Sequence, residues 1–138
     1  MVNVQRLQVL IPYAGPNGKL TVLGQDGLPF TVCREFWLTD VPKTATRADH
    51  AHLLARQVLV SIKGVWTARI EYGMGGSTIV KLREGEDALY VPPMSWLTLH
   101  SSGEDAILLV LADRPYNLRE YVRDRVAWRE MLAGGSKA

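Results

Sequence analysis

Short apolar segments recur along the chain, and turn residues separate them at intervals of about 8–12 residues, the spacing typical of sandwiches and barrels. In several segments bulky apolar residues alternate with other residues, the period of two that a half-buried strand produces. These strand-like segments are 20–23, 30–38, 57–62, 65–72, 77–82, 88–91, 96–100 and 106–111. Nothing between them supplies the helices that a parallel sheet requires, so the pattern predicts an all-β core.

The C-terminal part of the chain has a different period. Asn117 is a favourable N-cap residue, and the apolar residues after it fall on one helical face. These residues are Leu118, Tyr121, Val122, Val126 and Leu132. We therefore expect a helix over about 117–132 that packs on the barrel or on a partner chain without a role in catalysis, and a mobile tail over 133–138. The chain is expected to form one domain over 1–138, with the barrel at about 18–112.

Composition and charge exclude several classes of function. The formal net charge is +2, and basic and acidic residues are mixed along the chain, so no basic stripe indicates a nucleic-acid partner. No apolar run reaches about 18 residues, and no charged leader precedes an apolar block, so we expect a cytoplasmic protein without a membrane partner. The single cysteine, Cys33, lies in an apolar run and is expected to be a small core residue.

Two histidines carry the candidate chemistry. His50 and His52 lie two positions apart, so in a strand both imidazoles would project into the same interior. Histidine can remove and return protons near pH 7, because its ordinary pKa is about 6.5. The spacing to Gln57 and Leu97 resembles that of a cupin metal site in which a glutamate and a further histidine have been replaced. An amide and an isobutyl group are poor ligands, so we expect no metal and no other cofactor.

Several segments beyond the histidine pair resemble one family, the cupin-type 3,4-ketoisomerases that act on dTDP-4-keto-6-deoxyglucose, which are WxcM-like sugar isomerases. The segments that carry the resemblance are Leu28-Pro29-Phe30 with Arg34, Arg47-x-x-His50-Ala51-His52, 57–60, Gly64, Tyr90-Val91-x-Pro93 with Trp96, 110–112 and 116–123. The resemblance implies an all-β cupin double-stranded β-helix, a jelly-roll barrel with a short C-terminal helix. It also implies a homodimer and a dTDP-linked keto-deoxysugar as the binding partner.

The same resemblance implies an activity and its residues. The carbonyl of a dTDP-4-keto-6-deoxyhexose would move from C4 to C3 through an enediol, without metal. By resemblance, His52 is the base and His50 supports it by donating to the carbonyl oxygen. The arginines suit a pyrophosphate, the amide suits a sugar hydroxyl, and the aromatic rings could stack on the base or the sugar. These substrate-binding candidates are Arg47, Arg34, Gln57, Trp96 and Tyr90.

The chain departs from the family pattern at five positions. The family usually has a glycine, a tyrosine pair with one member in the active site, a basic residue and a histidine at these positions. This chain has instead Ala48, Phe36-Trp37, Leu53 and Leu97. Three alternatives therefore stay open: a non-catalytic cupin that binds a nucleotide sugar, a related 3,5-epimerase, and a metal-dependent cupin that recruits Asp49 as a ligand. The C4 configuration of the product, the nucleotide and the pathway also stay open.

Overall fold

The computed structural model describes residues 3–86 and 88–134. This part of the chain is built from twelve β-strands and one α-helix. The elements are β1 (Gln5–Leu7), β2 (Leu10–Gly15), β3 (Gly18–Leu23), β4 (Arg34–Leu38), β5 (Arg47–His52), β6 (Gln57–Lys63), β7 (Trp66–Tyr72), β8 (Gly76–Leu82), β9 (Ala88–Val91), β10 (Trp96–Ser101), β11 (Ile107–Ala112), β12 (Tyr121–Val122) and α1 (Arg125–Gly134). No helix in these residues is long and apolar enough to cross a membrane.

Ten of the strands form two antiparallel sheets of five strands each, in the double-sheet arrangement of a jelly roll. The strand order is β1-β9-β6-β11-β4 in the first sheet and β12-β5-β10-β7-β8 in the second. Strands β2 and β3 pair only with each other, as a hairpin. The prediction of an all-β cupin-type barrel with a short C-terminal helix is thus confirmed.

The main core lies between the inner faces of the two sheets. Along β7, Trp66, Ala68 and Ile70 are fully buried, whereas Arg69 between them is exposed. This is the alternation seen in the sequence, and its cause is that one face of the strand meets the opposite sheet. The core also contains aliphatic residues from both sheets: Leu59, Leu82, Leu89, Val91, Leu97, Leu99, Leu108 and Val110.

Two smaller clusters cover the outer faces of the sheets. On the first sheet, Val58 and Val60 pack with Phe30 and Tyr90 beneath the β2–β3 side of the molecule. On the second sheet, Trp96 packs against Trp128 of α1, with 5.5 Å between the ring centroids. The helix therefore closes the back of the strands that carry the histidine pair.

The barrel begins earlier than the sequence indicated. Its predicted start was residue 18, but β1 already pairs with β9 in the first sheet, with Gln5 opposite Tyr90. Cys33 is exposed rather than buried, because alternate residues of this edge segment face solvent. The first two residues of the predicted mobile tail belong to α1, and residues 135–138 lie outside the described part of the chain.

The predicted helix over 117–132 is wrong in its first half. The Asn117 side chain does accept a hydrogen bond from the Arg119 amide, at 3.0 Å, but it caps only a three-residue 3-10 turn. Residues 121 and 122 then form β12 and pair with β5. The α-helix starts at Arg125 behind Asp124, whose carboxylate accepts from the Val126 amide at 2.9 Å. Pairing with β5 has overridden the helical period, which is a local signal only.

Candidate active site

The histidine pair lies in a cavity of about 320 Å³ between the two sheets. Four of the seven site residues predicted from the sequence line it: Arg47, His50, His52 and Gln57. The other lining residues are Phe36, Leu38, Thr46, Ala48, Leu59, Leu97, Leu99, Val110, Tyr121 and Arg123. The cavity thus combines polar side chains from β5, β6 and the segment around β12 with an aliphatic wall, the composition usual for a small-molecule site.

A β-bulge in β5 sets the direction of the histidines. In the pairing with β10, Leu97 lies opposite His50, but Thr98 lies opposite Ala48, so Asp49 is an extra residue. Ala48 and Asp49 have φ angles of 63° and 59°, in the left-handed region. The Asp49 carboxylate accepts a hydrogen bond from Nε1 of Trp96 at 3.0 Å and is not among the lining residues. Asp49 is therefore not placed to act as the recruited metal ligand.

The two imidazoles are in contact, with their ring centroids 4.9 Å apart and nearly perpendicular. Nδ1 of His50 lies 3.0 Å from the carbonyl oxygen of Ala48. A carbonyl only accepts, so Nδ1 carries the hydrogen and Nε2 presents a lone pair. Burial, followed by repulsion from His52, lowers the pKa of His50 to about 4. His50 is therefore neutral near pH 7 and cannot donate from Nε2, which argues against the donor role predicted for it.

His52 is held by a carboxylate. Its Nδ1 lies 2.6 Å from Oε1 of Glu120, and both side chains are buried. The other carboxylate oxygen, Oε2, accepts from the amides of Leu54 and Ala55, each at 3.0 Å. Burial alone would raise the pKa of Glu120, but these three donors together hold it below its ordinary value. Burial also lowers the pKa of His52, although Glu120 opposes this shift. Nε2 of His52 is buried and has no hydrogen-bond partner among the described residues.

The segment around β12 supplies three functional side chains that the sequence did not single out: Glu120, Tyr121 and Arg123. The Tyr121 ring lies 4.3 Å from His52 and 5.0 Å from His50, measured between centroids. The Arg123 guanidinium lies 4.9 Å from the centre of the Tyr121 ring, and Arg123 lines the cavity. These residues belong to the segment 116–123 that carried the family resemblance. The helix predicted for this segment would have placed them on different faces.

Three predicted substrate contacts lie outside the cavity lining. Arg34 is next to it: its Nη2 donates to the Tyr121 hydroxyl at 3.5 Å. Tyr90 is 2% exposed and packs with Phe30 on the outer face of the first sheet. Trp96 is 1% exposed and lies under α1. Because Tyr90 and Trp96 pack away from the cavity, we leave both out of the substrate site.

The residues present do not fit a divalent metal. Gln57 and Leu97, which occupy the positions of two cupin ligands, both line the cavity, and neither offers a strong donor. Glu120 is the nearest carboxylate to the pair, and its oxygens are taken up by His52 and two amides. In 3–86 and 88–134, no three His, Cys, Asp or Glu side chains are arranged to hold an ion.

Known proteins resemble the chain over nearly its whole length. The curated TDP-4-oxo-6-deoxy-alpha-D-glucose-3,4-oxoisomerase of Aneurinibacillus thermoaerophilus is 27% identical over 119 residues, 84% of either chain. The crystal structure of the sugar 3,4-ketoisomerase QdtA from Thermoanaerobacterium thermosaccharolyticum, in complex with TDP, matches with a TM-score of 0.89. Identity is 27%, and 98% of both chains is covered. WlaRA, a TDP-fucose-3,4-ketoisomerase from Campylobacter jejuni, matches with a TM-score of 0.84 and 26% identity, over 95% of this chain and 96% of that one.

The family model described as "FdtA: WxcM-like, C-terminal" matches residues 3–133. This match confirms the resemblance predicted from the motifs, and the chain belongs to the FdtA, WxcM-like family.

Proposed function

We propose that this protein is an isomerase that converts a dTDP-4-keto-6-deoxyhexose to the 3-keto sugar. The observation that carries the proposal is the pair of imidazoles in the cavity, His50 half-buried and His52 buried, each hydrogen-bonded at Nδ1 and therefore presenting a lone pair at Nε2. A general base must be partly neutral at the working pH, and both pKa values are lowered. The names of the relatives support the same class of reaction.

His52 is the proposed base. Its Nε2 removes the proton from C3 of the sugar, and the resulting imidazolium is stabilised at Nδ1 by the Glu120 carboxylate, 2.6 Å away. Loss of this proton leaves an enediolate; once a proton has moved from O3 to O4, His52 returns its own proton to C4 and the carbonyl stands at C3. His50 remains neutral and accepts a hydrogen bond at Nε2 from a sugar hydroxyl, which orients the ring beside the base.

Arginines near the cavity supply the charge that a nucleotide sugar requires. Arg47 and Arg123 line the cavity, and Arg34 lies next to Tyr121. Guanidinium groups match phosphate oxygens in two-point fashion, so we assign the pyrophosphate to this group. Gln57 provides an amide for a sugar hydroxyl. The aliphatic wall formed by Leu59, Leu97, Leu99 and Val110 suits the methyl group of a 6-deoxy sugar.

We also propose that the protein acts as a homodimer. The β2–β3 hairpin exposes four apolar side chains, which a second copy could cover. They are Ile11, Tyr13, Leu20 and Val22, which are 50%, 59%, 62% and 38% exposed. Light scattering of the purified protein measures the mass directly, and a monomeric mass at all concentrations would contradict the dimer. The cytoplasmic location stays a prediction from the sequence.

The function is tested by incubating the protein with dTDP-4-keto-6-deoxyglucose in deuterated water and following the sugar protons by NMR. We expect deuterium to enter at C3 or C4 of the sugar while a 3-keto product forms. Binding with neither a 3-keto product nor exchange would instead indicate a passive nucleotide-sugar-binding protein. Exchange at C5 without a 3-keto product would indicate a 3,5-epimerase. Loss of turnover after chelation, with recovery on adding a metal, would indicate a metal-dependent cupin.

A further inference from the structure

The histidine pair leaves one chemical requirement unmet. Forming an enediol from a ketone needs a proton for the carbonyl oxygen as well as a base for the C–H bond. Both imidazoles carry their hydrogen on Nδ1, where it is held by Ala48 and Glu120. Each neutral ring therefore faces the cavity as an acceptor, and the donor to the carbonyl oxygen must be another group.

The tyrosine that the family places after Arg34 does not fill this role here. Its two candidate positions hold Phe36 and Trp37, neither of which carries a hydroxyl. Phe36 lines the cavity with a bare ring, whereas Trp37 faces outward and is 65% exposed. A hydroxyl group that gives a proton to the carbonyl oxygen must therefore come from another part of the cavity.

Two hydroxyl side chains line the cavity, Thr46 and Tyr121. The Thr46 hydroxyl lies 3.0 Å from Nε2 of His100, an exposed residue. The Tyr121 ring, in contrast, contacts both site histidines, at 4.3 Å and 5.0 Å between centroids. Tyr121 is thus the hydroxyl side chain that lies against the proposed base.

The surroundings of Tyr121 suit an oxygen that gives up its proton and takes one back. Nη2 of Arg34 donates to the phenolic oxygen at 3.5 Å, so that oxygen is an acceptor towards Arg34 and its own hydrogen is directed elsewhere. The Arg123 guanidinium lies 4.9 Å from the centre of the same ring. Arg34 is therefore placed to hydrogen-bond the phenolate oxygen that forms for part of the proposed cycle.

We infer that Tyr121 is the second catalytic residue of this site and transfers the oxygen-bound proton. This inference rests on the proposed isomerase function. In the first step, Nε2 of His52 takes the proton from C3 while the Tyr121 hydroxyl gives its proton to O4. The products are an enediol, a His52 imidazolium and a phenolate. In the second step, the imidazolium returns its proton to C4 while the phenolate takes the proton from O3. The 3-keto sugar forms, and both side chains recover their starting states.

The test compares three proteins: wild type, Tyr121→Phe and Tyr116→Phe. Tyr116 is the matched control because it lies in the same segment, its ring is 5.6 Å from that of Tyr121, and its side chain is 61% exposed outside the cavity lining. For Tyr121→Phe we expect kcat to fall by about 10²-fold or more, the usual scale for an acid–base group. The dissociation constant for dTDP should stay close to that of wild type, because the ring and the arginines remain. Tyr116→Phe should retain wild-type turnover.

The possible outcomes distinguish the role of Tyr121 from the isomerase function on which it rests. Wild-type turnover in Tyr121→Phe overturns the role of Tyr121 and leaves the isomerase function standing. A fall in turnover matched by equal loss of dTDP affinity also overturns it, because Tyr121 would then act in binding only. A wild-type protein that binds dTDP-4-keto-6-deoxyglucose but forms no 3-keto product overturns the isomerase function and the inference together. Lost turnover with retained affinity supports both.

Discussion

Nδ1 of His52 lies 2.6 Å from Oε1 of Glu120, although 68 positions separate the two residues in the chain. We expect Glu120→Gln to reduce turnover by about 10²- to 10⁴-fold, since a neutral amide can hold the imidazole in the wrong tautomer. Long-range ¹H–¹⁵N NMR of the ligand-free protein measures which ring nitrogen carries the hydrogen. It should report Nδ1–H in wild type and a changed tautomer in the variant.

Glu130→Gln is the matched control for that variant, because Glu130 is exposed on α1. It should change neither turnover nor the His52 spectrum. An unaltered His52 tautomer in Glu120→Gln would show that the carboxylate does not determine which ring nitrogen carries the hydrogen.

His52→Asn should lower turnover by about 10²-fold or more, the scale expected for removal of a general base. His100→Asn serves as the control, because His100 is exposed, does not line the cavity and hydrogen-bonds through its imidazole to Thr46. Steady-state rates with the dTDP-sugar, measured alongside dTDP affinity, check the prediction. Near wild-type turnover in His52→Asn would mean that another residue is the base.

Acid should destabilise the protein through the histidine pair. The pKa of His50 is lowered from 6.5 in the free side chain to about 4, so between these values the unfolded chain binds a proton that the folded protein does not. Stability from this residue is therefore complete above pH 6.5 and is lost as pH falls towards 4. The lowered pKa values of His52 and Glu120 act in the same direction.

Urea unfolding at several pH values between 7 and 4 measures this dependence. His50→Asn should show a shallower fall in unfolding free energy than wild type over the same interval. Parallel curves for the two proteins would contradict the assignment of the effect to His50.

Ala48→Gly should stabilise the fold without loss of activity. Ala48 has a φ of 63°, a conformation that costs a side chain with a Cβ about 1–2 kcal/mol. The gain in unfolding free energy should be somewhat smaller, about 0.5–1 kcal/mol, because glycine loses more entropy on folding. Ala51→Gly, at a buried position of the same strand without a positive φ, should instead destabilise. Equal effects of the two glycines would show that the bulge is unstrained.

Arg123→Gln should weaken dTDP binding by about tenfold or more, since hydrogen bonds to charged groups contribute about 1.5–3 kcal/mol. Arg119→Gln is the control, because Arg119 is exposed on the preceding turn and does not line the cavity. Calorimetric titration at two salt concentrations measures both affinities. Equal affinities for the two variants would remove Arg123 from the phosphate site.

The parts of this protein that could be predicted are those encoded by local patterns. The period of two located most barrel strands, because burial of one face directly determines which residues are apolar. The two-residue spacing of His50 and His52 was likewise sufficient to bring both rings into one cavity. The Glu120 contact could not be predicted in this way, because no local pattern encodes a hydrogen bond across 68 positions. The sequence placed Tyr90 and Trp96 at the substrate for a related reason. The position of a residue in a strand does not by itself show which face of the sheet it lies on, or which face another layer covers.

The cavity receives side chains from both early and late parts of the sequence. Strand β5 brings the two imidazoles to the cavity, whereas residues 120–123 bring a phenol and a guanidinium to it and place the Glu120 carboxylate at Nδ1 of His52. During synthesis β5 emerges well before residues 120–123, so His50 can already bond to Ala48 within its own strand, whereas His52 still lacks the carboxylate at its Nδ1. The proposed base is thus oriented only when β12 adds to the edge of its sheet.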